Sequence, residues 1–323
     1  MKIRVLVVLG ILFPLFLFGA RKEKPAWEKA WQEGMSLYKQ SRYAEALPRF
    51  ETVVKLLPDR SSGHAMLGKC RYNLADYAGA LTHFQTAHRL TPEDGDAVYR
   101  VVTAHLALKQ YPQVLETVRG FDAALVPTDT RADYFRAAGL AAFALRDYRA
   151  ASSFFLQGWN AAEAGQRPPD LQVWLVKALV QEARGEGGEA RAAAFARALP
   201  EAEALAEADP SPDSHLLAAE AALAAGVYGA AESHARSVLQ RSPDDPFGAL
   251  YLGQALCGLE RFRDAVAPLE RAGELLTEEG RKAAWNQLGY AWERLGDRAK
   301  ARESYARAGN DERVRKLSEL AVP

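Results

Sequence analysis

The sequence predicts an all-α fold, a solenoid of about eight stacked helix-turn-helix repeats, and three observations predict it. The first is a period. Gly34 and Gly68, then Tyr43, Tyr77 and Tyr111, then Ala46 and Ala80, Phe50 and Phe84, and Pro58 and Pro92 recur in one order at intervals of 34 residues. The second is the pattern inside a period: Met66, Leu67 and Cys70 fall at helical spacing, a break follows near residues 73–77, and Ala80, Leu81, Phe84 and Ala87 resume it. The third is composition. Of 323 residues 49% are hydrophobic, which excludes disorder as the main state, while two cysteines, Cys70 and Cys257, are too few for a disulfide framework or a usual structural zinc site. Packing between helices therefore has to hold the chain. Lys+Arg and Asp+Glu both total 41, so no basic excess exists to meet a phosphate backbone, and nucleic acid is not an expected partner.

Within one unit each residue type has a reason. Gly68 and Ala80 are small so that the two helices approach closely, Tyr77 plugs the turn, Phe84 fills the gap toward the following unit, and Pro92 stops continuation because it lacks an amide hydrogen. One such pair would leave an apolar face exposed, so neighbours must stack on it.

Taken in order, the chain opens with Lys2 and Arg4 before an apolar run over residues 5–18, the layout of an export signal. Residues 1–20 are expected to be a signal peptide or a membrane anchor. Cutting after Ala20 would put Phe18 at the third place, a poor site, and residues 5–20 would span about 24 Å as a helix, short of a hydrocarbon core. No cysteine follows the run, so attachment as a bacterial lipoprotein is excluded. Residues 21–165 form an N-terminal array of about four repeats, with units from about Trp27, Ser61, Gly95 and Ala132, the last carrying Phe135, Gly139, Tyr148, Ala151 and Phe155. Residues 166–211 depart from the pattern, with Leu171 and Trp174 opening a helix, a glycine run at 185–188 and an alanine-rich stretch interrupted by Pro200; this is read as a diverged unit or a hinge. Residues 212–310 form a C-terminal array of about three repeats starting near Pro212, Pro246 and Lys282, where Arg298 replaces the aromatic at the last turn. Residues 311–323 read as a cap helix and tail, with Val314, Leu317 and Leu320 along one side.

On the 34-residue period, the small residue early in the first helix, the aromatic after the turn, the alanine in the second helix and the terminal proline, the chain resembles the tetratricopeptide repeat family, in an exported bacterial form. The resemblance covers nearly the whole chain after residue 20. It implies a right-handed α-solenoid whose first helices line a concave groove that receives a peptide or an extended segment of another protein. Carried over unit by unit, the groove places are Trp31, Met35 and Tyr38; Lys69 and Tyr72; Tyr99 and Thr103; Arg136, Leu140 and Phe143; and, in the C-terminal array, Leu250, Gln254, Asn286 and Tyr290. The first groups are aromatic and apolar and suit an amphipathic helix or apolar peptide; Tyr38, Tyr72 and Phe143 have the alternative of packing between adjacent helices. A family version that grips a carboxylate with lysines and asparagines is not matched, because Trp31 and Met35 stand at those places.

Chemistry is thin. None of the six histidines forms HExxH, no GxSxG elbow occurs, and the glycine run lacks the lysine and order of a P-loop, so no catalytic residue, metal or cofactor is expected and the chain is read as not an enzyme. His64 and His83 occupy the same repeat places as His215 and His234; each pair either meets across the two helices of its unit, to bind a metal or sense pH, or packs plainly. The expected function is a non-catalytic scaffold holding a protein or peptide partner in an envelope assembly or secretion process, exported to the periplasm or envelope. Residues 5–20 would tether it to the inner membrane if uncut, and self-association is left open. The alternatives are an enzyme or regulatory subunit with a small-molecule site near Trp174 and Arg184, or a purely structural spacer.

Overall fold

The computed structural model describes residues 24–162 and 170–319; the expected export segment 1–20 and the Leu320 end of the cap lie outside them. Its described residues form seventeen α-helices and one short 3-10 helix. The N-terminal pairs are α1 (Ala26–Lys39) with α2 (Tyr43–Leu56), α3 (Ser61–Asn73) with α4 (Tyr77–Leu90), α5 (Gly95–Ala107) with α6 (Tyr111–Arg119), and α7 (Thr128–Ala144) with α8 (Tyr148–Ala161). Then come α9 (Leu171–Gly185) with α10 (Gly188–Ala208), α11 (Pro212–Ala224) with α12 (Tyr228–Arg241), α13 (Pro246–Gly258) with α14 (Phe262–Leu275), and α15 (Glu278–Arg294) with α16 (Arg298–Arg307). The last helix, α17 (Asp311–Glu319), buries Leu317 against Ala301 and Tyr305. Each helix packs on the next in sequence, and the first helices of neighbouring units also touch. The architecture is an α-solenoid of eight helix pairs and a terminal helix.

Close approach inside a unit rests on the small residue in the first helix. A Cβ on Gly68 would stand 2.6 Å from the Phe84 ring, and one on Gly139 2.5 Å from Phe155, so the second-helix aromatic occupies the room the glycine leaves. The same rings reach onward: Phe50 packs with Met66, Leu67 and Cys70 of the next unit, and Phe84 with Val101 and Ala104. Phe84 thus serves its own unit as well as the following one. Both cysteines are free and buried.

The turns between paired helices show a regularity the sequence hides. Ser41, Ala75, Lys109, Arg146 and Glu260 all take positive φ between 56° and 62°, and Gly226 and Gly296 at the corresponding place take positive φ of 78° and 83°. In each, the residue after it donates its N–H back five positions, as Asp76 does to Arg71 O at 2.9 Å, which closes the helix C-terminus. Aspartates then cap several second helices: Asp76 accepts from Gly79 N and Asp147 from Ala150 N.

Three places differ from the sequence reading. α7 and α15 begin at Thr128 and Glu278, about a turn before Ala132 and Lys282. After the short α6 a 3-10 turn, Ala123–Leu125, folds back on the start of α5, where a Cβ on Gly95 would meet the Leu125 carbonyl. The long α10 continues through Pro200 unbroken, with Phe195, Leu199, Ala202 and Leu205 buried along one side. The glycine run is the α9–α10 turn.

Candidate partner-binding cleft

Most of the N-terminal groove places are already engaged with neighbours. Tyr38, Tyr72 and Phe143, each four residues after the small residue of its unit, pack edge-on against the first aromatic of the second helix, Tyr43, Tyr77 and Tyr148, at 5.1–5.2 Å between ring centroids. Phe143 also meets Trp174 at 5.3 Å. Trp31 lies edge-on to Phe50 with the Arg60 guanidinium over its face, and Met35 packs beside it. Lys69 reaches across to Asp96 at 2.9 Å, and Asp96 also holds Arg100, which sits over the Tyr99 ring. The Lys69 and Arg100 cations, outweighing burial, keep the Asp96 carboxyl below the usual range. Thr103 donates to the Arg100 carbonyl, Arg136 joins Asp133 to Asp170 of the next unit, and Leu140 is half-buried against the core.

The C-terminal array is built differently. A cleft of about 570 Å³ opens across α11, α13 and α15, closed on one side by the start of α10. Tyr251, Gln254, Gln287 and Tyr290 from α13 and α15 line it, with Glu220, Leu223, Tyr228, Cys257, Gly258 and Arg191. Tyr228 leans onto Gly258, where a Cβ would come within 2.4 Å of its ring. A second hollow of about 270 Å³ adjoins it, sharing Glu220 and Tyr251 as a wall and running on to Lys177, Arg184, Asp213 and Phe247.

Of the sequence-chosen residues, this cleft unites Gln254 and Tyr290. Leu250 is buried in the core, and Asn286 points to the chain end, accepting from Asn310 Nδ2 at 2.7 Å. Their neighbours Tyr251 and Gln287 take the lining places instead, one residue later in each helix. The signal for the cleft was also present in sequence: Leu223 and Cys257 stand where Tyr38, Tyr72 and Phe143 stand in the N-terminal units, and these smaller side chains leave the hollow unfilled.

The cleft is fitted for contact. Burial pushes the Tyr251 hydroxyl and the Cys257 thiol upward, so both stay protonated at neutral pH and neither is a ready nucleophile. Among the described residues no group of three or more His, Cys, Asp or Glu could hold a metal ion. Near the expected small-molecule site, Arg184 is clamped by Glu220 through two bonds of 2.6 Å, and Trp174 lies with Phe143 and Phe155, its ring 5.3 Å from the ammonium of Lys177, which lines the second hollow.

A family model described as tetratricopeptide repeat matches residues 32–95 and 194–246. Among solved structures the chain is similar to Pseudomonas aeruginosa pilF, at 14% identity over 69% of this chain and 95% of that one, with a TM-score of 0.49. It is similar to MamA of MSR-1 at 20% identity, 60% and 99% coverage and a TM-score of 0.45. It is also similar to YrrB, described as a TPR protein with an unusual peptide-binding site, at 14%, 73% and 95%, and 0.43. No curated protein matches the chain.

Proposed function

Given that the chain belongs to the tetratricopeptide repeat family, a protein-interaction scaffold, we propose that it is a non-catalytic adaptor that holds an extended protein segment in the C-terminal cleft. The two adjoining hollows between Lys177 and Tyr290 are the observation that carries this reading, since two hollows sharing a wall suit a chain better than a compact small molecule. Tyr228, Tyr251 and Tyr290 offer flat apolar rings with polar edges, and the Gln254 and Gln287 amides can donate to and accept from a peptide backbone. Arg191, over the Phe195 ring, adds a cation at the rim. The test is a photoreactive residue at Gln254 in the native cell, with Tyr251→Ala and Gln287→Ala as companions. The reading expects one captured protein that both variants lose while keeping their helix content; capture unchanged in both would overturn it.

The proposal extends to location. Lys2, Arg4 and the apolar run 5–18 would take the chain to the cell envelope, where the adaptor would serve an assembly or secretion process. No helix among the described residues is long and apolar enough to cross a membrane, so a tether would fall to residues 5–20. Fractionating the full chain and sequencing its N-terminus tests this: recovery with the envelope is expected, and recovery of uncut chain in the cytoplasm would contradict it.

A further inference from the structure

Two repeats, one in each array, carry a contact that the scaffold role does not need. His64 of α3 and His83 of α4 meet Nδ1 to Nδ1 at 3.2 Å, and His215 of α11 and His234 of α12 meet in the same way at 3.0 Å. The corresponding places in other units hold Ala30 with Arg49, Phe135 with Phe154, and Ala249 with Pro268, so the repeat itself does not demand histidine. Ring centroids lie 5.5 and 5.3 Å apart, and two ring radii account for the whole excess over the nitrogen separations. The imidazoles therefore point at each other along one line. That is the alignment of an N–H···N hydrogen bond; two nitrogens chelating one ion would converge on it from the side.

In the first pair the protons can be placed. His64 Nε2 lies 2.9 Å from the Pro58 carbonyl oxygen, which only accepts, so that nitrogen carries hydrogen and the neutral ring presents a bare Nδ1. His83 must then donate from its own Nδ1. One added proton, on His83 Nε2, leaves a single hydrogen between the two Nδ1 atoms and makes the bond charge-assisted whichever ring holds that hydrogen. A second can only enter between the same two atoms, where it sets N–H against N–H between two cations.

We propose that the two histidine pairs are matched acid-operated latches: each holds its helix pair shut while it carries at most one added proton, and a second proton parts α3 from α4 and α11 from α12. Parting would reach the concave side, since α3 carries Lys69 and Tyr72 and α11 carries Glu220, a wall of the cleft that also clamps Arg184.

The surroundings favour this behaviour. Burial, followed by the His64 charge and Arg71 and opposed by Asp76, holds His83 down to about 4. Arg71 is itself shared with Asp76 and with Glu51 from α2. Burial, then the His234 charge and Arg241, lowers His215, and burial opposed by Glu207 of α10 lowers His234. The unfolded chain, with histidines near 6.5, thus binds more protons than the folded one. The contribution of these groups to stability is full above about 6.5 and is lost as pH falls below it, for His83 toward about 4.

Hydrogen exchange on the full chain at pH 7 and pH 4.5, expressed as protection factors, tests the latch. Protection in α3, α4, α11 and α12 should fall about tenfold more than in α1, α2, α13 and α14. In the His83→Gln/His234→Gln chain, whose amides hydrogen-bond without titrating, that excess loss should vanish. Nitrogen-detected titration of the unaltered chain gives a reading independent of any variant: within each pair the two rings should protonate in separate steps. Rings that titrate together near 6.5, a uniform loss of protection along the chain, or an excess loss that survives in the glutamine chain would each overturn the proposal.

Discussion

The N-terminal and C-terminal arrays share one skeleton and present different concave faces. In both, a small residue on the first helix receives a large side chain from the second: Gly68 receives Phe84, Gly139 receives Phe155, Gly253 receives Leu269 and Gly289 receives Tyr305. Four residues after the small one the arrays part. Tyr38, Tyr72 and Phe143 lie down on the next aromatic and seal the N-terminal face, whereas Leu223 and Cys257 are too small to do so, and the cleft lies beside them. Ion pairs between successive units occur on both sides of this division, Lys69–Asp96 and Arg136–Asp170 among the earlier units and Arg184–Glu220 on the wall of the cleft. Leu106 stands at the same place in the third unit, so the hollow goes with the adjoining pair Leu223 and Cys257 and not with a single small side chain.

Core truncation should break both halves alike and gives the largest effect. Phe84→Ala and Leu269→Ala, both fully buried, should each cost about 3–4 kcal/mol in denaturant unfolding, with lost protection confined mainly to the altered unit and its neighbours. A much smaller cost in one half would mean that the skeletons differ after all. Next, Tyr72→Cys imitates the C-terminal place and should cost about 2 kcal/mol while opening a hollow beside Tyr77, visible as new access for an apolar dye. Its converse, Cys257→Tyr, would place a ring against Phe262 as Tyr72 lies against Tyr77; stability should change by no more than about 1 kcal/mol, and the C-terminal cleft should close.

The turns sharpen the comparison on a finer scale. Ala75 holds φ of 62° where Gly226 holds 78°, so Ala75→Gly should gain, and Gly226→Ala lose, about 1 kcal/mol by thermal unfolding. The smallest effect belongs to the surface pairs: Lys69→Ala should change stability by about 0.5 kcal/mol at low salt and less at high salt, because the Lys69–Asp96 pair is only partly withdrawn from water.

The skeleton was legible because tight packing prints its demands on sequence at every period: a glycine where Phe84 must fit, an alanine where helices touch, an aromatic at the turn. The positive-φ places were not, since Ser41, Ala75, Lys109, Arg146 and Glu260 share no side chain, and the hydrogen-bonded turn imposes the conformation without help from glycine. The cleft was half legible. Gln254 and Tyr290 follow their glycines directly and face it, but the places three before the glycine, Leu250 and Asn286, turn into the core and toward α17, leaving Tyr251 and Gln287 on the lining. One residue is about a hundred degrees around a helix, enough to move a side chain from wall to core. The alignment of the histidine pairs likewise needed coordinates, because equal spacing in sequence does not say which ring nitrogens meet.

The central claim is that the partner segment lies on the C-terminal cleft and not on the sealed N-terminal face. Photoreactive residues placed singly at Gln254 and at Tyr99 in the native cell compare the two faces directly, with Cys257→Tyr as the closing variant. The account predicts a defined protein adduct from Gln254, lost in Cys257→Tyr, and none of that protein from Tyr99. The same adduct from Tyr99 alone, or one from Gln254 that persists when the cleft is closed, would contradict it.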